Sequence, residues 1–284
     1  MKKFLILFMI FLGFSVLSQA ADRSVAVTIL PQKFITEKIA GDQWKVVEII
    51  PKGANVHTYE PKISLLKEVA NATAYFSLEE TLDEVWLRKL LSLNSKLPVV
   101  RVDKGIEKLR MEDHQHGKAK GKLHHDPHIW LSVDNMIKIV ENTRDAFIQL
   151  DQANKTVYEK RSNDLIKEIK ALKEEALQKM NTKVNKNFLV FHPAWGYFAR
   201  DYNLNQISVE VEGKEPSPKE FAKVIDIAKK HGIKVIFVQP QISAKTVESL
   251  SREIGAEIIK IDPLKYEWTE NMREVSLKIA DALR

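Results

Sequence analysis

The sequence predicts an α/β fold of two lobes, each a roughly four-stranded parallel sheet with flanking helices, joined by one long bridging helix. Short β-branched runs alternate with amphipathic stretches in both halves of the chain, which is the pattern of βα units. A long helical pattern without glycine or proline lies between the halves. The 284 residues are enough for two lobes, and because the chain has no cysteine, both cores must form without disulfides.

Eight short runs have the length and composition of strands. Four lie in the first half of the chain, at 25–30, 45–50, 74–78 and 99–102. The other four lie in the second half, at 188–191, 206–209, 234–238 and 257–261. Because helical stretches separate the strands of each set, we expect parallel pairing within two sheets.

The segment 154–181 carries the pattern of the bridging helix. Its apolar residues recur at three- and four-residue spacing, at Leu165, Ile169, Leu172, Ala176 and Met180. At 1.5 Å per residue it would be about 40 Å long, enough to run along both lobes. A charged surface helix within one lobe fits the same pattern, but the midway position favours a bridge. We therefore expect an N-terminal lobe at 21–150, the bridging helix at 151–182 and a C-terminal lobe at 183–284.

Residues 1–20 have the organisation of a signal peptide. Lys2 and Lys3 precede an apolar run that is shorter than the roughly 20 residues needed to span a bilayer. Small residues then lead to Ala20, after which we expect cleavage. No cysteine follows the apolar run, so we expect a soluble periplasmic protein and not a thiol-acylated lipoprotein.

Five of the eight histidines lie between His114 and His128. The stretch 104–122 has few apolar residues and no period, so we expect a mobile surface loop. The histidines here that precede His128 are His114, His116, His124 and His125. These four would meet a metal ion only weakly, because closing a flexible segment around an ion costs conformational entropy. A solvated segment without a role is the alternative.

Two other histidines lie in loops that follow predicted strands. His192 comes directly after FLVF, at the carboxyl end where open α/β sheets bind ligands. Pro193 suits the first position of a helix there. His57 lies in the loop after the strand that ends at Ile50.

His128 and Asp262 occupy comparable positions. His128, in DPHIWLS, precedes a helix that we expect Ser132 or Asp134 to cap, and Asp262 ends a strand and is followed by proline. Three imidazoles and one carboxylate match the donors of tetrahedral Zn²⁺. Spacing this long is not diagnostic by itself, since each histidine taken singly can be a structural loop residue.

Five segments together resemble the metal-binding receptors of ABC importers, in the zinc and manganese group of solute-binding proteins. They are NVHTYEPKISLL, DPHIWLS, FHPAWGYFARDYNL, VEGKEPSPKE and KIDPL, and they span nearly the whole chain after residue 20. The resemblance implies two α/β lobes joined by one long helix, with a metal held in the cleft between them. Carried over by motif, it implies the ligands His57, His128, His192 and Asp262.

The resemblance also bears on which metal is bound. Zinc receptors of this group commonly have histidine as the third ligand, whereas manganese receptors often have glutamate, and FHPAW supplies His192. A histidine-containing loop ahead of the second ligand is typical of zinc receptors too. The donor set favours zinc independently, because Mn²⁺ prefers oxygen ligands. A manganese receptor is the alternative within the group.

The fourth ligand is the least certain of the set. Glu60 lies three residues after His57 and is the rival of Asp262, although Glu60 and Pro61 also resemble the start of a helix. A water molecule is the third possibility. The aromatic residues that could line the cleft, or equally belong to the core, are Tyr59, Trp195 and Tyr197. His231, ahead of Gly232, is interpreted as a helix-end residue without a role.

The sequence therefore predicts a periplasmic receptor that captures Zn²⁺ and delivers it to the membrane permease of an ABC importer. We expect a monomer without enzymatic activity. We also expect no nucleic-acid partner, because the net charge of +6 is spread over mixed-sign helices. A secreted zinc hydrolase is a further alternative, but the chain lacks H-E-x-x-H and G-x-S-x-G. An adhesin of the same group would differ in its partner and not in its metal chemistry.

Overall fold

The computed structural model describes residues 23–56, 58–110, 125–210, 214–240 and 244–283. The elements of the first half are β1 (Ser24–Val27), α1 (Leu30–Ala40), β2 (Lys45–Glu48), α2 (Ile63–Ala70), β3 (Ala74–Ser77), α3 (Glu80–Leu93), β4 (Val99–Arg101) and α4 (Val133–Leu150). The long helix α5 (Lys155–Met180) follows. The elements of the second half are β5 (Asn187–Val190), α6 (Gly196–Asp201), β6 (Asn205–Ser208), α7 (Pro218–Lys230), β7 (Val235–Val238), α8 (Ala244–Ile254), β8 (Glu257–Lys260) and α9 (Trp268–Ala282).

The strands form two four-stranded parallel sheets, which confirms the predicted fold class. Their orders are β2-β1-β3-β4 and β6-β5-β7-β8. In each sheet the chain leaves its first strand in one direction and then returns to pair on that strand's other side. Such a reversal opens a crevice at the carboxyl ends of the strands, where ligands of open α/β sheets bind. The second crevice lies beside the end of β5, two residues before His192.

Helix α5 joins the two halves. It is uninterrupted over 26 residues, and its buried face includes the predicted apolar series together with Tyr158 and Ser162. It packs on α4 and α1 from the first half and on α9 from the second. Helix α9 also reaches α1, so apolar residues of both halves belong to one continuous core. No helix within the described ranges is long and apolar enough to cross a membrane.

Two tryptophans tie the loops of the two halves together. Trp130 donates from its indole nitrogen to the carbonyl oxygen of Pro263 at 2.8 Å. Trp268 donates in turn to the carbonyl oxygen of Trp130, also at 2.8 Å. Both indoles are fully buried, so these bonds are shielded from water. They hold the segment that follows His128 against the segment that follows Asp262.

Two predicted helix starts are wrong, and one predicted cap is confirmed. Pro193 is not the first residue of a helix, because α6 begins only at Gly196. The side chain of Gln206 accepts from the amide of Trp195 at 2.7 Å, and this tertiary bond stabilises the nonhelical turn. Pro61 precedes an extended Lys62, so α2 begins at Ile63.

The cap concerns the helix that follows His128. The Ser132 hydroxyl accepts from the amide of Asn135 at 3.0 Å and caps α4, whereas Asp134 lies within the first turn.

Candidate metal site

The structure brings two of the four predicted ligands together. The rings of His128 and His192 lie edge to face, with centroids 5.3 Å apart and an interplanar angle of 78°. His128 immediately precedes a 3₁₀ turn at Ile129–Leu131, and His192 follows β5. These positions are far apart along the chain, and packing of the two halves brings the imidazoles into contact.

Each of these imidazoles is held by a carboxylate. The Nδ1 atom of His128 lies 2.7 Å from Oδ1 of Asp126, which also accepts from the His128 amide at 2.9 Å. The Nδ1 atom of His192 lies 2.6 Å from Oε2 of Glu210. Both carboxylates are largely buried, as are both rings. The rings are therefore fixed in orientation before any ion arrives.

Local structure explains where these carboxylates lie. Asp126 begins the short loop that carries His128, and its side chain accepts from the backbone amide two residues later. Glu210 lies two residues beyond β6, and its amide donates to the carbonyl oxygen of Phe191 at 2.9 Å. That bond continues the pairing of β5 with β6 and places Glu210 beside His192.

The carboxylates select the form of imidazole that coordinates metals. A carboxylate next to Nδ1 favours the tautomer with its proton on that nitrogen, which leaves the lone pair on Nε2. Histidines that bind metal ions almost always donate their second N–H in this way. The Nε2 atom of His192 is itself buried.

Asp262 lies close to the segment that carries His128. It follows β8 and is half-buried, and its Oδ1 atom accepts from the amide of Leu264 at 2.9 Å. The side-chain amide of Asn271 donates to its carbonyl oxygen at 2.7 Å. The Trp130–Pro263 bond connects this loop to the residues after His128. The loop is thus well ordered by its own contacts.

Glu60 is in a different environment. Its side chain is 74% exposed, and one carboxylate oxygen accepts from Nζ of Lys89 at 3.0 Å. A carboxylate turned to solvent and paired with lysine is less suited to a buried ion than one held at the cleft.

The remaining candidates are divided by what the structure describes. His57, His114, His116 and His124 lie outside the described residues. His125 is half-buried and forms an isolated antiparallel bridge with Arg110. Within the described ranges, no three His, Cys, Asp or Glu side chains lie close enough together to hold a metal ion. The His128–His192 pair is accordingly the part of the predicted set that the structure brings together.

Two of the three candidate aromatic residues belong to the core. Trp195 and Tyr197 are fully buried, whereas Tyr59 is partly exposed and packs against the core. His231 caps the carboxyl end of α7, and Gly232 after it has a φ of +61°, which confirms the predicted helix end.

Sequence reasoning missed Asp126 and Glu210. Asp126 had a usable signal, since it lies two residues before His128 in DPH. Glu210 had a weaker one, the position just after a strand that neighbours the strand leading to His192.

Comparisons with known proteins agree with this architecture. The family model described as "Zinc-uptake complex component A periplasmic" matches residues 25–282. A crystal structure of ZnuA superposes with a TM-score of 0.87 at 36% identity, covering 93% of this chain and 100% of that one. A zinc-bound ZnuA deletion mutant superposes with a TM-score of 0.85 at 36% identity, covering 93% of this chain and 98% of that one.

A curated relative adds a sequence comparison. The zinc-binding protein AdcA of Streptococcus pyogenes serotype M3 is 30% identical over 269 residues, which cover 88% of this chain and 52% of AdcA. The chain thus spans about half the length of the curated relatives it matches first. The family match and the structural likeness confirm the resemblance found in the sequence motifs, and the chain belongs to the ZnuA family, component A of periplasmic zinc-uptake complexes.

Proposed function

We propose that this protein is a zinc receptor that captures Zn²⁺ outside the cytoplasm and delivers it to the permease of an ABC importer. The observation that carries this proposal is the pair of imidazoles 5.3 Å apart, each with its Nδ1 atom on a buried carboxylate. That arrangement prepares two Nε2 donors for a borderline-soft cation. The zinc-binding relatives support the same reading.

The proposed ligands are His57, His128, His192 and Asp262. His57 and Asp262 would complete a tetrahedral set around the His128–His192 pair. Asp262 would approach the pair when the ion binds, and the tryptophan ties hold its loop against the segment that follows His128. Four protein ligands would leave no open position for an activated water, so we propose a receptor and not a hydrolase.

Cellular location follows from the same proposal. We propose that residues 1–20 are a signal peptide and that the remaining chain works in the periplasm as a monomer. Residues 1–22 lie outside the described part of the structure, so this point depends on the sequence pattern. Comparing the N-terminus of the exported protein with Ala21 tests it directly.

Titration with zinc tests the proposed function. We expect one Zn²⁺ to bind tightly and to raise the melting temperature, because a ligand that prefers the folded state stabilises it. Mn²⁺ should raise it much less, since the nitrogen donors suit zinc better. Calorimetry with a competing chelator would measure both affinities. Equal affinities for the two ions would overturn the choice of zinc, and the absence of tight binding by either would overturn the receptor itself.

The Glu210 carboxylate offers a second, independent test. Glu210→Gln keeps the size of the side chain but removes the charge that stabilises the coordinating form of His192. We expect zinc affinity to fall by roughly 10–100-fold, the range typical of outer-shell partners, which are residues that hydrogen-bond to a metal ligand. Glu257→Gln makes the same change at an exposed position on β8 and should leave the affinity unaltered. Equal affinities of the two variants would show that the Glu210 pairing has no role in binding.

A further inference from the structure

The segments on either side of residues 111–124 meet in a short two-stranded stem, which comprises residues 108–110 and 125–126. Arg110 and His125 form its antiparallel bridge. The amide of Asp126 donates to the carbonyl oxygen of Leu109 at 2.9 Å. The stem therefore includes the residue whose carboxylate holds His128.

A buried tyrosine of the second half forms hydrogen bonds with both strands of this stem. The Tyr197 hydroxyl donates to the carbonyl oxygen of Asp126 at 2.8 Å and accepts from the amide of Leu109 at 3.0 Å. One oxygen thus satisfies two backbone groups of the stem. Burial raises the pKa of the phenol, so the hydroxyl remains protonated and able to donate.

Gly196 permits the close approach that this contact requires. A Cβ atom placed on Gly196 would lie 2.8 Å from Oδ2 of Asp126, closer than real Cβ contacts. The backbone at the start of α6 therefore leaves no room for a side chain beside the carboxylate whose other oxygen holds His128. Any larger residue at this position would have to displace that carboxylate.

The first half contacts the stem through Lys108. Lys108 extends its ammonium group to Oε1 of Glu79 at 2.7 Å and to Oδ2 of Asp103 at 3.1 Å. Both carboxylates are buried. Burial of Lys108 opposes its charged form, yet the hydrogen bonds and charges of the two acids raise its pKa, so the ion pairs persist. The stem is consequently anchored to both halves, and Tyr197 is the contact that reaches the backbone of Asp126.

We infer that Tyr197 is a positioning residue for zinc binding, which acts through Asp126 on His128 and sets the spacing of His128 from His192. Tyr197 lies five residues after His192, on the helix that follows the His192 loop. Its hydroxyl reaches the backbone of Asp126, whose side chain reaches the ring of His128. The inference rests on the proposed function, because it treats both histidines as zinc ligands.

Tyr197→Phe tests the inference, since it removes only the hydroxyl. We expect about tenfold weaker zinc binding, near the low end of the effects of outer-shell partners, measured by titration against a chelator. Tyr202→Phe is the matched control: Tyr202 is also buried and lies at the end of the same helix. Its loss of a hydroxyl should leave zinc affinity unchanged. Equal effects of the two substitutions would overturn the inference.

A double-mutant cycle separates positioning from general destabilisation. If Tyr197 acts through Asp126, combining Tyr197→Phe with Asp126→Asn should weaken zinc binding by less than the product of the single effects. Combining Tyr197→Phe with Glu210→Gln, whose parent carboxylate holds His192, should weaken zinc binding by an amount closer to the product of those two single effects. Independent effects of Tyr197 and Asp126 would overturn the inference, because a merely structural role does not couple selectively to the His128 side.

His128→Ala distinguishes failure of this inference from failure of the proposed function. If His128→Ala abolishes tight binding while Tyr197→Phe does not alter it, the positioning role is wrong and the ligand assignment stands. If His128→Ala leaves zinc affinity unchanged, the ligand assignment is wrong and the inference falls with it.

Discussion

Replacing His192 with alanine is expected to weaken zinc binding by about a hundredfold or more, since outer-shell partners alone contribute roughly 10–100-fold. The substitution removes the Nε2 donor and leaves the buried Glu210 carboxylate without its imidazole. His128→Ala should have a comparable effect, because the corresponding Asp126–His128 pair is lost. Zinc titration of both variants against a competing chelator, in one buffer, would measure the change.

His231→Ala is the matched control for these substitutions. His231 is not a proposed ligand, and it lies at the carboxyl end of α7, where its Nδ1 atom is 3.3 Å from the side-chain amide of Asn187. Its removal should leave zinc affinity unaltered. Melting curves without metal would show whether each variant is folded. Folded His128→Ala and His192→Ala variants that bind zinc as tightly as the parent protein would refute the ligand assignment.

The sheets could be predicted from the sequence because their signals are local. Most strands are short runs rich in β-branched or aromatic residues, and their neighbours along the chain are helices, so composition reveals the alternation. The long helix could be predicted in the same way, since 26 residues without glycine or proline keep one apolar period. The segment that carries the helical pattern, 154–181, begins and ends within one residue of α5. These elements follow from interactions between residues a few positions apart.

The helix start after His192 could not be predicted, because the interaction that decides it joins residues of different elements. Proline at a first helical position is a local preference, whereas the turn at 193–195 is stabilised by Gln206 from β6. No local pattern reports that contact. The partnership of His192 with Glu210 is similar, because it exists only once β5 and β6 are paired. Glu210 could therefore not be found from local patterns, whereas Asp126 lies only two residues before His128 and was overlooked.

The topology explains why the two histidines meet. The strand order of the second sheet places the end of β5 at a reversal point, and the His192 loop leaves the sheet there. The stem and the tryptophan ties hold the His128 loop over this point from the first half. A helix packed on both halves limits how far they can separate, so we expect small rearrangements when zinc binds.

The identity of the fourth ligand gives the second large effect. We expect Asp262→Ala to weaken zinc binding by about tenfold or more, while Glu60→Ala should change it by less than about twofold, as is usual for an exposed ion pair. Asp262 is half-buried in a loop ordered by Leu264 and Asn271, so holding its carboxylate near the ion costs little entropy. Glu60 is exposed and paired with Lys89. Neither effect should reach that of His128→Ala or His192→Ala, because neutral imidazole is the better donor to zinc.

Asp262→Asn separates loss of a ligand from loss of loop structure. Asparagine retains an oxygen that can accept from the amide of Leu264, so the loop should remain intact while the negative charge facing the cation is lost. Zinc titration of Asp262→Asn, Asp262→Ala and Glu60→Ala under one chelator would then rank the two carboxylates. If Asp262→Asn is nearly as weak as Asp262→Ala, charge and coordination account for the loss. If Glu60→Ala proves the more damaging change, the donors come mainly from the first half of the chain, and a site shared equally between the two lobes is wrong.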